Sequence, residues 1–495
     1  MLAALLHAGS MPPLAVSACG FLFVVPLLWA VRQRGGRGAL PFFFFFFFTG
    51  LLEWYWIPRV MVVYGGASPP LGGIALVALA GVLALFGALL GWLVGRAMTG
   101  SRHFTLLLPT LWVAHDLLVE RALSGFPWCL TGYSQAGNPW FRQWAELGGV
   151  HLLTFLVVAA GTLLFRALDT PRRGHILARC ALLLLVTHGL GGALWFRFVR
   201  SDRAIPCHRA GIVQPNSSPH RTFTWPELAR ETRGLLATSQ ALAARGAEFV
   251  VWPESSVPLL PRQSPIQAAW LQEFARDHVP LLAGFTDIEG EGRIYNALMS
   301  FDGQTIGRYA KVHLTPFGEY IPFRRLLFFV KKITDQVGDF NPGPPAPPLT
   351  VNGHRLATPI CYEVIFPALV RDQLAAGGEL IVTVSNDGWF GDTSAPRQHL
   401  AMAAIRAVEG RRDLLRSTST GISARVDALG SVSDPIPYDT AGARLVSFRY
   451  RTNRTVFLRG GYLFPWGCAL LAVLWFLADA VSRRRKPAPV DKPAR

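Results

Sequence analysis

Apolar and polar positions divide the chain into two apolar regions separated by a region of mixed pattern. Seven apolar runs approach the roughly 20 residues that a helix needs to cross the hydrocarbon core of a bilayer. These runs cover residues 13–31, 41–60, 72–94, 105–119, 150–168, 178–196 and 461–481. Residues 1–7 are also apolar but are too few to cross a membrane. We expect either that they are the remnant of a first helix or that the true start of the chain lies upstream.

Short apolar runs alternate with longer amphipathic stretches between the two apolar regions. The short runs predict strands at residues 210–214, 249–252, 281–285, 295–301, 305–310, 355–360 and 380–385. The longer stretches predict helices at residues 225–245, 265–277, 367–376 and 397–412. Such alternation is typical of an α/β or mixed sandwich domain.

Composition and charge agree with this division. Apolar residues make up 51% of the chain and charged residues 16%, whereas soluble chains carry about 25% charged residues. A wholly soluble or disordered chain is therefore excluded. The net charge of +17 suggests a polyanionic partner, but residues 201–455 hold 27 basic and 24 acidic residues, a net charge of only +3. The excess belongs to the apolar regions, so it does not indicate nucleic acid binding.

The basic residues of the apolar regions predict an orientation in the membrane. Of these 21 residues, 15 lie in alternate loops and in the C-terminal tail, and six lie on the opposite side. The positive-inside rule places the larger set in the cytoplasm. We therefore expect residues 201–455 on the periplasmic side and the C-terminus in the cytoplasm.

The expected domain organisation follows from these patterns. Residues 1–200 form N-terminal transmembrane helices, with six or seven spans of which the first is truncated. Residues 201–455 form the extracytoplasmic domain, residues 456–482 form a C-terminal transmembrane helix, and residues 483–495 form a basic tail.

Three predicted strands are each followed by a residue of chemical interest: Glu254, Lys311 and Cys361. Alone, each has a simpler interpretation as a loop glutamate, a solvated lysine or a small buried hydrophobe. Together they form the set that a thiol nucleophile needs, because a carboxylate can take the thiol proton and an ammonium can stabilise an oxyanion. No metal-ligand spacing and no phosphate-binding loop is found in the sequence, so we expect neither a metal nor a cofactor.

Four segments make the pattern more specific. They are WPES at 252–255, YAKVHLTPFGEYIP at 309–322, ICYE at 360–363 and SNDGWFG at 385–391. They resemble the Glu-Lys-Cys triad of the nitrilase, or carbon–nitrogen hydrolase, superfamily, and within it the membrane branch of apolipoprotein N-acyltransferases. Residues 124–128 and 132–135, together with Arg406, Glu409 and Arg412, extend the resemblance over nearly the whole chain. The resemblance implies a nitrilase-like α-β-β-α sandwich on a multi-pass α-helical membrane domain of eight helices.

The resemblance also implies an activity. Family members transfer a fatty acyl chain from a phospholipid, here expected to be phosphatidylethanolamine, to the N-terminal amine of S-diacylglyceryl-cysteine in an apolipoprotein. In the implied ping-pong scheme, Glu254 deprotonates Cys361, which forms a thioester, while Lys311 stabilises the oxyanion. The expected enzyme is monomeric, lies in the bacterial inner membrane and catalyses the final step of lipoprotein maturation.

Further residues take roles only through the resemblance. Glu319 and Glu363 are implied as supporting acids, and Tyr362 is placed beside the nucleophile. Trp225, Asn296 and Phe390 match substrate-binding positions, although packing roles remain open for Tyr362, Phe390 and Trp225. Arms over the site are expected within residues 215–225 and 323–342.

Aromatic residues in an outward loop, including Trp128, Tyr133 and Trp140, have two open interpretations. They can mark the bilayer interface, or they can form an entry wall for lipid.

Two other functions are compatible with parts of the sequence. A membrane-anchored nitrilase-type amidase would use water as the acceptor, but a single span would suffice as its anchor. A transporter or scaffold is disfavoured because Glu254, Lys311 and Cys361 are all present and the spans hold few charges.

Overall fold

A computed structural model describes residues 1–101, 103–170, 173–202, 204–217, 224–290, 292–321 and 340–484. Most of the two expected arms and nearly all of the basic tail lie outside the described residues.

The membrane-associated part consists of helices from both ends of the chain. In the N-terminal region these are α1 (Leu2–Ser10), α2 (Cys19–Leu22), α3 (Val24–Gln33), α4 (Ala39–Glu53), α5 (Ile57–Arg59), α6 (Pro69–Gly100), α7 (Phe104–Arg121), α8 (Ala145–Leu168) and α9 (Arg173–Asp202). A π-helical turn (Val60–Tyr64) follows α5, and 3₁₀ turns at Thr131–Gln135 and Phe141–Trp144 precede α8.

Four helices within the described residues are long and apolar enough to cross a membrane. They cover Pro69–Thr99, Phe141–Leu168, Arg173–Asp202 and Gly461–Arg484. A fifth candidate is the pair Ala39–Glu53 and Ile57–Tyr64, which is bent by 53°. The predicted run at 13–31 is instead a short apolar segment, Cys19–Gln33, and the run at 105–119 falls in α7, which buries Asp116 and Glu120.

The short α1 is held inside this bundle by polar contacts. His7 Nδ1 lies 2.7 Å from Glu53 Oε1 at the end of α4, and His7 Nε2 lies 3.2 Å from Thr131 Oγ1. Helices α4 and α6 approach so closely that a Cβ atom at Gly91 would lie 2.3 Å from the carbonyl oxygen of Gly38. Small residues of this kind let membrane helices pack at short distance.

The domain between the two helical regions contains twelve strands among the described residues. They are β1 (His208–Gln214), β2 (Val250–Val251), β3 (Leu281–Glu289), β4 (Arg293–Phe301), β5 (Ile306–Ala310), β6 (Leu349–Val351), β7 (His354–Ala357), β8 (Leu380–Ser385), β9 (Leu414–Thr418), β10 (Ser423–Val426), β11 (Val432–Ile436) and β12 (Gly442–Phe448). One six-stranded sheet has the order β12-β1-β2-β3-β4-β5, and the other has the order β11-β10-β9-β8-β7-β6. Strands β1, β2 and β3 are parallel to one another, as are β7, β8 and β9.

Helices cover the outer face of each sheet. They are α10 (Trp225–Ala244) and α11 (Pro265–Asp277) on the first sheet, and α12 (Pro367–Ala375) and α13 (Ala395–Gly410) on the second. Apolar side chains such as Ile212, Leu282 and Val382 fill the space between the sheets. The chain then leaves through α14 (Val456–Arg459) and the apolar α15 (Phe464–Arg484). The predicted α-β-β-α sandwich on a helical base is confirmed.

Strands β9 to β12 were not predicted from the apolar pattern. Strand β9 buries Arg416, Ser417 and Thr418, so its sequence lacks an apolar run although it lies in the centre of its sheet. Strand β11 contains a proline and is largely exposed, which is typical of an edge strand.

Helix α13 explains how the two parts of the molecule meet. Ala403, Ile405 and Val408 belong to one apolar cluster with Leu111 and Val150 of the membrane helices. The second sheet therefore rests on the membrane base through α13, while the first sheet lies farther out.

Candidate active site

The three predicted catalytic side chains follow strands whose carboxyl ends meet at one edge of the sandwich. Strand β2 ends three residues before Glu254, β5 ends directly before Lys311, and β7 ends four residues before Cys361. The Glu254 segment lies tightly against β3, because a Cβ atom at Gly284 would lie 2.6 Å from Glu254 Cα. The backbone N–H of Ser255 donates to the Gly284 carbonyl at 3.1 Å. A glycine is therefore needed at position 284.

Lys311 is the centre of a buried cluster of polar side chains. Its Nζ atom lies 2.9 Å from Glu319 Oε2 and 3.7 Å from Glu254 Oε1, and its side chain is only 1% exposed. It also donates to Thr315 Oγ1 at 3.3 Å. Burial opposes a charge on this lysine, but the carboxylates of Glu319 and Glu254 outweigh it and raise the pKa of Lys311. Lys311 is thus an ammonium at every physiological pH.

The amide of Asn296 joins the two carboxylates of this cluster. Its Nδ2 atom donates to Glu254 Oε1 at 2.6 Å and to Glu319 Oε1 at 2.7 Å. The second oxygen of Glu254 accepts the backbone N–H of Asn386 at 2.8 Å. The structure therefore brings together Glu254, Lys311, Glu319 and Asn296, with Asn296 in direct contact with both acids.

Cys361 lies beside this cluster in an unusual conformation. Its φ angle is +50°, in the left-handed region that non-glycine residues seldom adopt and that often marks functional sites. The preceding Ile360 bridges to Val384 of β8, so Cys361 comes next to Ser385. Burial and the charge of Glu254 raise the pKa of the Cys361 thiol, and Lys311 only partly opposes them. The resting site therefore holds a neutral thiol.

The buried carboxylate of Glu363 links the backbone segments around the site by hydrogen bonds. Its carboxylate accepts backbone N–H groups of Val312, His313 and Ile360 at 2.7 to 3.0 Å, and the hydroxyl of Tyr309. Burial raises the pKa of Glu363 to about 7. This acid links the segment after Lys311 to the segment before Cys361, so the structure supports an anchoring position for it.

Tyr362 and Phe390 connect the site to the membrane helices. The Tyr362 hydroxyl donates to the carbonyl of Gly125 at 3.0 Å. The Phe390 ring lies 4.9 Å from the ring of Trp56, and the Tyr64 hydroxyl donates to the neighbouring carbonyl of Gly388 at 2.7 Å. Trp128 and Tyr133 are 3% and 2% exposed, so these two join the two parts of the molecule instead of facing lipid.

Trp225 lies apart from the carboxylate cluster. It begins α10, its side chain is 56% exposed, and its ring lies 5.9 Å from that of Trp270. Its assignment as a substrate-binding residue stays a prediction.

A second buried polar network behind Cys361 was not predicted. His399 Nε2 lies 3.1 Å from the Cys361 carbonyl oxygen, and His399 Nδ1 lies close to Asp387 and Arg416. Burial raises the pKa of Asp387, but the charge of Arg416 outweighs burial and lowers it. The SNDGWFG segment in the sequence could have indicated Asp387. His399 and Arg416 lie on other elements, and no sequence pattern connects them with Asp387.

The fold and the site together define a carbon–nitrogen hydrolase domain mounted on a bundle of apolar helices. The carbon–nitrogen hydrolase family matches residues 209–447, and the family described as apolipoprotein N-acyltransferase N-terminal domain matches residues 3–163. An amidase from Nesterenkonia sp. is a similar solved structure, with 20% identity and a TM-score of 0.38, covering 51% of this chain and 92% of that chain.

Similar curated proteins cover both parts of the molecule. The apolipoprotein N-acyltransferase of Geobacter metallireducens is 31% identical over 98% of this chain and 95% of its own length. That of Azotobacter vinelandii is 34% identical over 88% of this chain and 85% of its own length. The chain belongs to the apolipoprotein N-acyltransferase family of bacterial membrane enzymes. The predicted family is confirmed.

Proposed function

We propose that this enzyme transfers a fatty acyl chain from a phospholipid to the N-terminal amine of a diacylated apolipoprotein, with Glu254, Lys311 and Cys361 as catalytic residues. The observation that carries the proposal is the cluster of Lys311 with two carboxylates, beside a cysteine held in the left-handed region. The apolar helices beneath the site and the names of the relatives favour lipid substrates.

The first half-reaction forms an acyl-enzyme. Glu254 takes the proton from the Cys361 thiol as sulphur attacks the carbonyl carbon of the acyl ester. Lys311 stabilises the oxyanion that develops. The tetrahedral intermediate then breaks its C–O bond, the leaving glycerol oxygen takes the proton from Glu254, and a lysophospholipid departs.

The second half-reaction uses the same groups. The α-amine of the apolipoprotein attacks the thioester carbon, and Glu254 takes the amine proton. The C–S bond breaks, and the Cys361 sulphur recovers a proton from Glu254. Thioesters react readily with amines, which suits a cysteine nucleophile better than a serine.

The resting charges fit this scheme. The neutral thiol does not compete with Glu254 for the ammonium of Lys311 before substrate binds, and Glu254 lies 3.7 Å from that ammonium, in position to act as the base. Glu319, the nearer partner of Lys311, holds the ammonium in place. Asn296 binds both acids and keeps the Glu254 carboxylate oriented.

The finer features of substrate and location are also proposals. The donor is phosphatidylethanolamine, the enzyme acts as a monomer, and no cofactor takes part. The catalytic domain faces the periplasm and the C-terminus faces the cytoplasm, as the distribution of basic residues supports. Trp225 and Phe390 contact substrate.

The test is acyl transfer in detergent with phosphatidylethanolamine and a synthetic diacylated lipopeptide. N-acylated lipopeptide formed by the native enzyme and absent with Cys361→Ser would support the proposal. A thioester on Cys361, detected by mass spectrometry after incubation with phospholipid alone, is the expected intermediate. Free fatty acid without N-acylated lipopeptide would instead assign a hydrolase that uses water.

A further inference from the structure

His399 lies directly behind the nucleophile and is fully buried. This residue of α13 has both ring nitrogens in contact with polar groups. Its Nε2 atom lies 3.1 Å from the carbonyl oxygen of Cys361. Its Nδ1 atom lies 3.0 Å from Arg416 Nη2 and 3.1 Å from Asp387 Oδ1. Arg416 Nη2 is also 2.6 Å from Asp387 Oδ2, so the three side chains form one closed network.

The contacts determine which nitrogen carries the hydrogen. A carbonyl oxygen can only accept, so the contact with Cys361 requires a hydrogen on Nε2. Burial and the charge of Arg416 lower the pKa of His399, so the ring is neutral and carries one hydrogen. Nδ1 is then an acceptor, and Arg416 supplies the N–H that it needs. Asp387 Oδ1 is left to accept the hydroxyl of Ser385 at 2.7 Å.

The backbone conformation of Cys361 requires a contact such as the one from His399. Its left-handed conformation is seldom adopted by residues with a side chain, so neighbouring groups must hold it. On the amino side, the carbonyl oxygen of Ile360 accepts the backbone N–H of Glu363 at 3.1 Å. On the carboxyl side, the Cys361 carbonyl is held by His399. The two contacts hold the peptide groups on either side of the nucleophile.

We propose that His399 is a positioning residue that holds the Cys361 backbone so that the sulphur points at Lys311 and Glu254. Arg416 and Asp387 act through His399 by fixing its tautomer and its ring orientation. The inference rests on the proposed role of Cys361 as the nucleophile. It adds a group that does not touch substrate but determines where the sulphur lies.

A matched pair of variants tests the proposal. His399→Gln keeps an N–H donor near the position of Nε2, whereas His399→Asn carries the same amide on a side chain shorter by one methylene. The rate of acyl-enzyme formation is measured in a single turnover with phosphatidylethanolamine. Because a small misplacement of a reacting atom costs up to about 100-fold, we expect His399→Asn to be roughly 10- to 100-fold slower and His399→Gln to stay within about threefold of the native rate. KM for the phospholipid should change little in both variants.

Alkylation of Cys361 by iodoacetamide gives a second readout that needs neither lipid nor acceptor. The rate is followed by mass spectrometry of the peptide that contains Cys361, and His399→Asn should change it while His399→Gln should not. The matched control is His354→Asn, which removes a histidine whose Nδ1 lies 2.8 Å from Glu379 in the same domain. It should leave both rates unchanged.

The outcomes separate this inference from the proposed function. Equal acylation and alkylation rates in the Gln and Asn variants, with both proteins folded, would overturn the positioning role. A slower acylation explained wholly by a lower melting temperature in both variants would also overturn it. If the native enzyme makes no N-acylated lipopeptide but the two variants still differ in alkylation, the proposed function fails and the positioning role stands.

Discussion

Two buried ion-pair clusters of this enzyme differ in how their charges are balanced. In the catalytic cluster, one ammonium on Lys311 faces two carboxylates, Glu319 at 2.9 Å and Glu254 at 3.7 Å. At the joint between the catalytic domain and the membrane helices, Arg411 faces a single carboxylate. Its Nε and Nη2 atoms contact the same oxygen of Glu146, Oε2, at 2.9 and 2.6 Å, and its Nη1 atom donates to Gln143 Oε1.

This difference in charge balance distinguishes the cluster that can take part in proton transfer from the cluster that attaches the catalytic domain to the membrane helices. The catalytic cluster has one carboxylate more than it has cations, and the less closely paired one, Glu254, can take up a proton. In the joint, the one carboxylate of Glu146 faces two guanidinium groups, that of Arg411 at 2.6 Å and that of Arg197 at 3.5 Å, so no carboxylate is in excess there. Buried charges of both kinds are costly to separate, but only the set with an extra carboxylate can act as a base.

The largest expected effect comes from removing the base. Glu254→Gln should lower the rate of acyl transfer by about 10²- to 10⁴-fold, the usual contribution of a general base. The same change should speed alkylation of Cys361 by iodoacetamide, because the charge of Glu254 raises the thiol pKa and its loss increases the thiolate fraction. Glu273→Gln, an exposed glutamate of α11, is the control. A variant that alkylates more slowly than the native enzyme would contradict this electrostatic picture.

A smaller loss is expected from the other carboxylate. Glu319→Gln removes the closest charge partner of Lys311, and a lost charge-assisted hydrogen bond corresponds to about 10- to 100-fold in rate. Glu319 acts on Lys311 and not directly on the thiol, so the alkylation rate of Cys361 should stay nearly constant. Comparing Glu254→Gln and Glu319→Gln in one alkylation assay checks this prediction. If both variants were alkylated faster than the native enzyme by the same factor, the two acids would not differ in their effect on the thiol.

A substitution at the joint should lower the stability of the enzyme and leave the rate of acyl transfer unchanged. Arg411→Met removes the closer partner of Glu146 and leaves only Arg197 at 3.5 Å, and breaking a buried pair costs about 3–5 kcal/mol. We expect a melting temperature lowered by several degrees, with kcat per folded molecule unchanged. Arg444→Met replaces an exposed arginine in the same domain and should leave both unchanged. A tenfold loss of kcat in the folded Arg411→Met enzyme would show that the joint takes part in catalysis.

The smallest effect concerns one hydrogen bond between the Cys361 loop and the membrane part. Tyr362→Phe removes the hydroxyl that donates to Gly125 and should cost about 0.5–1.5 kcal/mol of unfolding free energy. Tyr450→Phe is the matched control, since the buried Tyr450 hydroxyl has no hydrogen-bond partner within the described part of the chain. If Tyr450→Phe lowered the unfolding free energy more than Tyr362→Phe does, the hydrogen bond from Tyr362 to Gly125 would contribute nothing to stability.

The candidate site shows how far local patterns can be trusted. Glu254, Lys311 and Cys361 were found because each follows an apolar strand, and parallel strands bring their carboxyl ends to one edge. Asn296 and Glu319 were reached only through family resemblance, and the structure places them in contact with the triad. His399 could not be found from the sequence, since its partners Arg416 and Cys361 lie far away along the chain. Four of the seven predicted spans correspond to helices long and apolar enough to cross a membrane and a fifth to the pair bent after Glu53, whereas the runs at 13–31 and 105–119 stay predictions.

The sequence alone was enough to predict the two-part architecture, the α/β character of the middle domain and the family, and to single out the three residues proposed as the triad. These depend on periodicity, composition and short segments, which are local properties of the chain. Only the tertiary structure decided the left-handed conformation of Cys361, the excess of carboxylates around Lys311 and the network behind the nucleophile. Those features arise from contacts between residues far apart in sequence, whose distances and charges are set by how the two sheets and the membrane helices pack.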